Sequence, residues 1–387
     1  MRSRDKYITL FGCLALVVSG YISSDPGRES AEESAYSVIG EATEVGFDQA
    51  ALNELVADIE RGEFPNTHAV LIEHDSRPIF EQYFDGSDER WDTSIGFRTM
   101  DADSLHDLRS ISKSVTSLLL GMALGKDFER AVEKPLSEYL PNLHLQGPQK
   151  AITLHQALTM TAGLEWNEMT VPYTNPLNDE LRLDESSHPA AFVLSRPMAS
   201  PPGSTWYYNG GLSQVIATII QNVTGLPIDE YARIHLFQPL DIVDFEWLGP
   251  NTWKPTNPSA AAGLRLTARD LAKIGSLVLH GGRWNGKQIV PEGWVERSGK
   301  RIVQENGDWS KNGTWGYGYQ WWVGDLPSGI RVVAGWGNGN QRLFILPSKK
   351  LVVTIFAGEY DKFEGHSERI LDRILAARRQ ESTQTSD

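Results

Sequence analysis

The sequence predicts an α+β fold in which an antiparallel sheet, built from both chain ends, is flanked by terminal helices and joined to an inserted helical region. Clear strand patterns occur only near the two ends of the 387 residues, at 68–84 and 316–358. The middle of the chain shows mostly helical periodicity with long loops. Amphipathic helices are expected at both ends, over 47–61 and 366–378. A cleft between the sheet and the helical region is the natural place for a site.

The individual elements follow from local signals. Asp48 can cap the first helix, and Gly62 follows its end. The stretch 68–84 predicts two strands joined at Asp75-Ser76-Arg77. Apolar runs predict later strands at 316–323, 330–335, 341–347 and 351–358. Apolar residues at helical spacing predict helices at 110–124, 154–160, 211–224, 228–235 and 268–280.

The N-terminus is typical of an export signal. The basic stretch MRSRDKY precedes the apolar run ITLFGCLALVVSGYI, which is short for a membrane span. We therefore expect a signal peptide over 1–22, a flexible lead-in over 23–46 and a disordered tail over 379–387. One domain should occupy 47–378, with sheet parts at about 47–109 and 285–378 and a helical part at about 125–284. The protein should be periplasmic or secreted, contacting a membrane only if the signal stays uncleaved.

Charge and cysteine content exclude several classes of function. The formal net charge of −14 argues against a nucleic-acid partner, because such a surface repels phosphates. Cys13 is the single cysteine and lies in the predicted signal, so disulfides, thiol catalysis and cysteine-bound metals are not expected. The sequence contains no His-Glu-x-x-His motif and no Gly-x-Ser-x-Gly elbow. We expect neither a metal nor a cofactor.

The stretch LRSISKSVTSLLLGMALG, residues 108–125, carries the first candidate site. Ser110 and Lys113 are three residues apart and would share one face at the start of a helix. The apolar stripe behind them would bury this helix, and burial favours a neutral lysine that can accept a proton. Backbone N–H groups at the helix start suit a developing negative charge. A Ser-x-x-Lys pattern alone is weak, since Ser3 to Lys6 matches it too.

A second candidate is SPPGSTWYYNGG, residues 200–211, where a Pro-Gly turn leads into Tyr207-Tyr208-Asn209. A tyrosine beside a lysine can relay protons, and an asparagine can hold a substrate amide or the lysine. Tyr173-Thr174-Asn175 has the same spacing. Tyr207 is preferred because a tight turn and a helix start flank it.

The third candidate is AGWGNGNQRLFILP, residues 334–347, whose glycines would let a ligand approach the backbone of a strand. A backbone N–H group in this stretch could complete an oxyanion hole with that of Ser110. A dinucleotide-binding loop is not expected, because no βαβ unit surrounds the glycines.

Together these three motifs, in this order, resemble the β-lactamase-related serine hydrolases, which include class C β-lactamases, penicillin-binding D-peptidases, certain esterases and 6-aminohexanoate-dimer hydrolases. The resemblance covers nearly all of 47–375. It implies that Ser110 is the nucleophile, Lys113 its base or tuning group, and Tyr207 the proton shuttle, with Asn209 beside it. The family's Lys/His-Thr-Gly motif falls on Gly335-Trp336-Gly337, so the oxyanion donor would be the N–H of Asn338.

The third motif departs from the family because Gly335 stands where β-lactam-processing relatives carry a cation for the substrate carboxylate. Trp336 suggests a more apolar substrate contact. The favoured hypothesis is an exported serine hydrolase that cleaves a small-molecule or short-peptide substrate, as a carboxylesterase or linear-amide hydrolase, through a Ser110 acyl-enzyme. Two alternatives stay open: a β-lactamase or D-Ala-D-Ala-type peptidase, and a catalytically silent penicillin-binding-like module that binds a ligand.

Overall fold

The computed structural model describes residues 41–250, 253, 257–304, 312–362 and 365–378, and the structural statements below refer to these residues. All of them belong to one unit, residues 38–387, within which the backbone contacts are dense. The predicted signal peptide, most of the predicted lead-in and the predicted tail lie outside the described residues.

The helices and strands largely follow the expected order. The helices are α1 Glu41–Glu44, α2 Gln49–Glu60, α3 Ile111–Leu124, α4 Phe128–Val132, α5 Leu136–Tyr139, α6 Leu154–Leu158, α7 Asp179–Asp184, α8 Pro189–Leu194, α9 Gly211–Thr224, α10 Ile228–Ala232, α11 Ala268–Leu279, α12 Glu292–Ser298 and α13 His366–Ala376. The strands are β1 Thr67–His74, β2 Arg77–Tyr83, β3 Gly86–Arg90, β4 Thr93–Arg98, β5 His106–Asp107, β6 Glu246–Trp247, β7 Leu264–Leu266, β8 Arg283–Trp284, β9 Lys287–Gln288, β10 Val303–Gln304, β11 Thr314–Tyr317, β12 Trp322–Asp325, β13 Arg331–Gly337, β14 Gln341–Leu346 and β15 Leu351–Ala357.

The main sheet confirms the predicted architecture. Its eight strands are ordered β10-β11-β12-β13-β14-β15-β1-β2, and every neighbouring pair is antiparallel. Strand β1 from the N-terminal part pairs with β15 from the C-terminal part, with Ile72 opposite Val353. Asp75 and Ser76 form the β1–β2 turn with left-handed φ angles of 51° and 64°. Such a turn suits the twist of a hairpin.

Helices cover both faces of this sheet, which explains why β15 is buried along its whole length. One apolar core contains side chains of α3, α9 and α11 together with Val352 of β15. The other contains side chains of α2 and α13 together with Val353 and Ile355. Alternate residues of a strand point to opposite faces, so the sequence of a strand between two cores is a continuous run of apolar residues.

The structure corrects three local predictions. The stretch 316–323 is not one strand, because the chain reverses between β11 and β12 and pairs with itself. The hairpin β3–β4 was not predicted, since its largely exposed residues show little apolar alternation. Residues 41–46 were expected to be flexible, but they contain α1 and bury Ala42 in the core.

Among the described helices, none is both long enough and apolar enough to cross a membrane.

Candidate active site

The structure brings Ser110 and Lys113 together at the start of α3. Lys113 Nζ donates to Ser110 Oγ over 2.8 Å and to the Ala261 carbonyl oxygen over 3.0 Å. Residues three positions apart in a helix lie on the same face, so this contact is the one that the sequence predicted. The Lys113 residue is only 1% exposed, so its amine is held away from bulk water in contact with the serine hydroxyl.

Arg109, the residue before Ser110, has an unusual backbone conformation. Arg109 has a left-handed φ of 49°, which costs free energy for a residue with a side chain. Its buried guanidinium forms ion pairs with Asp92, with Glu89 at 3.1 Å and with Asp107 at 3.3 Å. It also lies 4.6 Å from the centre of the Tyr360 ring. These contacts fix the turn that presents Ser110.

The tyrosine that contacts Ser110 is Tyr208 and not the predicted Tyr207. The Tyr208 side chain hydrogen bonds with Ser110, and its ring centre lies 5.1 Å from Lys113 Nζ. The ring stacks on Trp322, with 6.2 Å between centres and 19° between planes. Burial, followed by the charge of Glu168, raises the pKa of Tyr208 well above its usual value. The phenol therefore keeps its proton at neutral pH.

Tyr207 lies elsewhere because successive residues of an extended segment point in opposite directions. Its side chain is 39% exposed and lines a separate pocket of about 480 Å³. Trp166, Asp179 and Arg196 line the same pocket, and Ser110 is not part of its lining. The Tyr-x-Asn spacing selected a residue one position too early.

Asn209 has a structural contact at the start of α9. It is 3% exposed, and its Oδ1 accepts a hydrogen bond of 3.2 Å from the Leu212 N–H. The first N–H groups of a helix need such acceptors. The predicted role beside the substrate is therefore not supported by its contacts.

A pair of carboxyl groups, Glu168 and Glu180, lies close to this tyrosine. Glu168 Oε2 accepts from Trp166 Nε1 at 2.8 Å and from the Gly210 N–H at 2.7 Å. Gly210 has no side chain, and a Cβ there would be 2.9 Å from Glu180 Oε2 and 3.2 Å from Glu168 Oε2. Burial, then the charge of Glu168, raises the pKa of Glu180 well above its usual value, and the two groups are hydrogen-bonded. The Glu180 carboxyl therefore keeps a proton that it can donate to Glu168.

Glu180→Gln is expected to change how stability depends on pH. A carboxyl with a raised pKa keeps its proton in the folded state, so its contribution is complete below the ordinary value of about 4.3 and falls as pH rises through the folded value. The wild-type Tm should therefore fall relative to that of the variant between pH 5 and pH 8. A constant difference in Tm across this range would contradict a protonated Glu180.

The third motif packs against the segment that carries Ser110. A Cβ at Gly335 would lie 3.0 Å from Ile111 Cγ2, and one at Gly337 would collide with the Leu108 carbonyl oxygen. Both glycines of β13 thus permit close approach to the start of α3. Asn338 follows directly, with its side-chain Nδ2 bonded to Asp361 Oδ1 at 2.7 Å. The end of β13 therefore lies beside the nucleophile segment, as the oxyanion prediction requires.

Trp336 does not face Ser110. It alternates with Gly335 and Gly337 and so points to the opposite face of the sheet. It stacks on Trp322 at 4.4 Å and meets Trp315 edge-on at 4.7 Å. It is 8% exposed and belongs to the core beneath α2 and α13. The predicted contact with substrate is corrected to a packing contact.

Gly337→Ala is expected to destabilise the protein by about 1–3 kcal/mol, because the added methyl must displace the Leu108 backbone. Leu108 is two residues before Ser110, so kcat should also fall at least ~10-fold, since small displacements of a nucleophile are costly. Gly335→Ala is the matched control, because the added methyl would meet Ile111 side-chain atoms at 3.0 Å or more and no backbone atom within that distance. Thermal unfolding and ester turnover measure both variants, and equal losses in the two would contradict this account.

Comparison with known proteins decides the family. A model described as Beta-lactamase matches residues 65–377, which include every residue of the candidate active site. The chain belongs to the β-lactamase family. It is a hydrolase of the serine β-lactamase fold, and the resemblance inferred from the three motifs is confirmed.

Relatives of this β-lactamase-family chain have diverse activities. It is 28% identical over 297 residues to the 6-aminohexanoate-dimer hydrolase of Paenarthrobacter ureafaciens, covering 70% of this chain and 71% of that protein. A penicillin-binding protein homologue from Caulobacter crescentus aligns with a TM-score of 0.66 at 16% identity, over 85% of this chain and 97% of the other. A family VIII carboxylesterase aligns with a TM-score of 0.65 at 12% identity, over 84% and 96%. These two structures show the shared fold.

Sequence reasoning missed three residues of this family member's site: Tyr208, Glu168 and Glu180. Tyr208 is adjacent to a residue with the expected spacing, and only the direction of the side chain separates the two. Glu168 and Glu180 are distant from Ser110 in sequence and have no motif spacing. The sequence signal for this pair was Gly210, because a glycine beside a catalytic motif leaves space for side chains from other segments.

Proposed function

We propose that the protein hydrolyses esters or linear amides through a covalent acyl-enzyme on Ser110. The single observation that carries the proposal is the 2.8 Å contact between Lys113 Nζ and Ser110 Oγ in a buried setting. A hydroxyl becomes a useful nucleophile when an adjacent base can take its proton. Lys113 is that base, because the raised pKa of Tyr208 keeps the phenol protonated.

The reaction has two stages, acylation of Ser110 and then deacylation by water. Ser110 Oγ attacks the substrate carbonyl carbon while its proton passes to the Lys113 amine. The N–H groups of Ser110 and Asn338 stabilise the negative oxygen. The bond to the leaving group breaks, and the leaving group takes the phenolic proton of Tyr208, which is restored from the Lys113 ammonium. Water then attacks the acyl-enzyme with the same groups acting in reverse.

The third motif supports ester or linear-amide substrates over β-lactams. Gly335 packs against Ile111, so the position carries no cation for a substrate carboxylate. A carboxylate-bearing substrate would therefore find no cationic side chain at position 335. Two of the similar proteins have names that fit this substrate class, the 6-aminohexanoate-dimer hydrolase and the family VIII carboxylesterase. Export, inferred from residues 1–22, remains part of the proposal.

The test is intact-protein mass spectrometry after incubation with a fluorophosphonate, a short-chain p-nitrophenyl ester and a chromogenic cephalosporin. We expect the fluorophosphonate adduct and ester turnover, both lost in Ser110→Ala, and no cephalosporin adduct. Cephalosporin acylation would favour a β-lactamase or D-Ala-D-Ala-type peptidase. No adduct with any probe on the folded protein would favour the silent ligand-binding module.

A further inference from the structure

A second cluster of reactive side chains lies outside the candidate active site. His68 of β1, Asp88 of β3 and His106 of β5 are each at most 3% exposed. One ligand atom from each of the three lies within 4.8 Å of the others. His68 Nδ1 and His106 Nε2 are 2.9 Å apart, and His106 Nε2 is 3.3 Å from Asp88 Oδ1.

The hydrogen bonds around His68 fix its protonation. Its Nε2 lies 3.2 Å from Asn66 Oδ1. The Asn66 amide cannot be reversed, because Oδ1 accepts from the Ser87 N–H at 2.9 Å and Nδ2 donates to the Ser87 carbonyl at 2.8 Å. An amide oxygen only accepts, so His68 Nε2 carries the hydrogen. In the neutral ring, Nδ1 then presents a lone pair to the cluster.

The same reasoning applies to His106. Its Nδ1 lies 3.2 Å from the backbone carbonyl oxygen of Asp107, which can only accept. Nδ1 therefore carries the hydrogen, and in the neutral ring Nε2 presents a lone pair. Two nitrogen lone pairs and a carboxylate oxygen thus converge within a buried space. Two neutral rings in this arrangement repel each other, and either a proton on one ring or a cation between the three atoms removes the repulsion.

We propose that His68, Asp88 and His106 bind a zinc ion that stabilises the fold. Two imidazole nitrogens and one carboxylate are a common ligand set for zinc. In a tetrahedral site with bonds of about 2.0–2.1 Å, ligand atoms are about 3.3 Å apart. The separation of 3.3 Å between His106 Nε2 and Asp88 Oδ1 matches this value, and the 2.9 Å between the two nitrogens would widen by about 0.4 Å on binding. The carbonyl partners of both rings match the outer contacts that normally orient histidine ligands.

The surrounding backbone leaves room for this arrangement. A Cβ at Gly86 would collide with Asn66 Oδ1 and His68 Nε2, and a Cβ at Gly358 would collide with Asn66 and lie 2.7 Å from His68 Cε1. Neither glycine has a positive φ, so their common feature is close approach to the His68–Asn66 pair. Tyr360 donates to Asp88 Oδ1 at 2.9 Å. These contacts orient the three ligand side chains, which come from different strands.

The expectation of no metal came from spacing, and spacing could not show this site. The ligands lie 20 and 18 residues apart in sequence and come from three strands. Because all three side chains are buried, we assign the ion a structural role. His106 is four residues before Ser110, so the ion would tie the nucleophile segment to β1 and β3.

Metal analysis of the untagged full-length chain tests the proposal. We expect about one zinc per chain after purification in chelator-free buffer, and less than one-tenth of that after dialysis against a chelator. Adding ZnCl₂ to the chelated protein should raise Tm by about 5 °C at saturating metal. Co²⁺ in place of zinc should give the visible bands of a tetrahedral site.

Three variants complete the test. His68→Gln and Asp88→Asn should each retain less than one-tenth of the wild-type zinc, whereas His280→Gln should retain all of it. His280 is a matched control, because its Nε2 lies 3.1 Å from Asp75 Oδ1 at the surface, and this pair belongs to no three-ligand cluster among the described residues. If the cluster variants do not fold, the zinc titration of the wild type still decides. Chelated wild-type protein that neither binds micromolar zinc nor gains Tm would overturn the proposal, as would equal zinc in His68→Gln and wild type.

Discussion

Lys113→Met is expected to lower kcat by about 10⁴-fold while leaving the protein as stable as the wild type or more stable. The large loss follows because Lys113 is the only group that we assign to remove the Ser110 proton, and general-base catalysis contributes up to about 10⁴-fold. Stability should hold because Met has a similar length and brings no polar atom into a position that is 1% exposed. Replacing a buried ionisable group with an apolar one of similar volume is often neutral or stabilising.

The measurement combines steady-state ester turnover with thermal unfolding. Lys273→Met on α11 is the control, because that amine is partly buried and bonds Asp270 Oδ1 at 2.8 Å, far in sequence from Ser110. The control should keep wild-type kcat. A Lys113→Met enzyme with more than a tenth of wild-type kcat would show that another group activates Ser110.

Tyr208→Phe is expected to lower kcat by about 10³-fold, whereas Tyr207→Phe should change it by less than about threefold. Removing the Tyr208 hydroxyl deletes the proton donor to the leaving group, a loss typical of general acid catalysis. A 10³-fold loss corresponds to about 4 kcal/mol of transition-state stabilisation. The substituted phenyl ring would keep the packing on Trp322, so the effect should not come from unfolding.

The two adjacent tyrosines form a matched pair, since the same hydroxyl is removed from neighbouring residues. Esters with leaving groups of increasing pKa sharpen the comparison, because a poor leaving group depends more on a proton donor. The loss in Tyr208→Phe should grow along this series. If Tyr207→Phe suffers the larger loss, the sequence-based assignment was right and the contact with Ser110 is not catalytic.

The sequence predicted features that depend on short-range geometry. Ser110 and Lys113 lie one helical turn apart, so their contact follows once the helix is predicted. Tyr208 required more information, because Tyr207 and Tyr208 have the same chemistry and differ only in the direction that the extended chain gives them. The prediction for Trp336 was wrong for the same reason. The face of β13 to which its side chain points depends on the groups that pack on each side of the sheet.

The sheet was predicted because long apolar runs near both ends of the chain needed burial on two faces. The β3–β4 hairpin was not, because its exposed residues carry no such pattern. The Glu168–Glu180 pair and the His68–Asp88–His106 cluster depend on contacts between distant segments. No local spacing in the sequence encodes those contacts.

The pairing of β1 with β15 has a consequence for synthesis of the protein. Residue 74 ends β1 and residue 351 begins β15, so 276 residues separate the two strands. At about 5–20 residues per second, a ribosome needs roughly 15–55 s to cover that distance. During this interval the β1–β2 hairpin has been made but its central partner has not. Its apolar edge is then open to other chains. The nascent enzyme should therefore depend on chaperones until its final strand emerges.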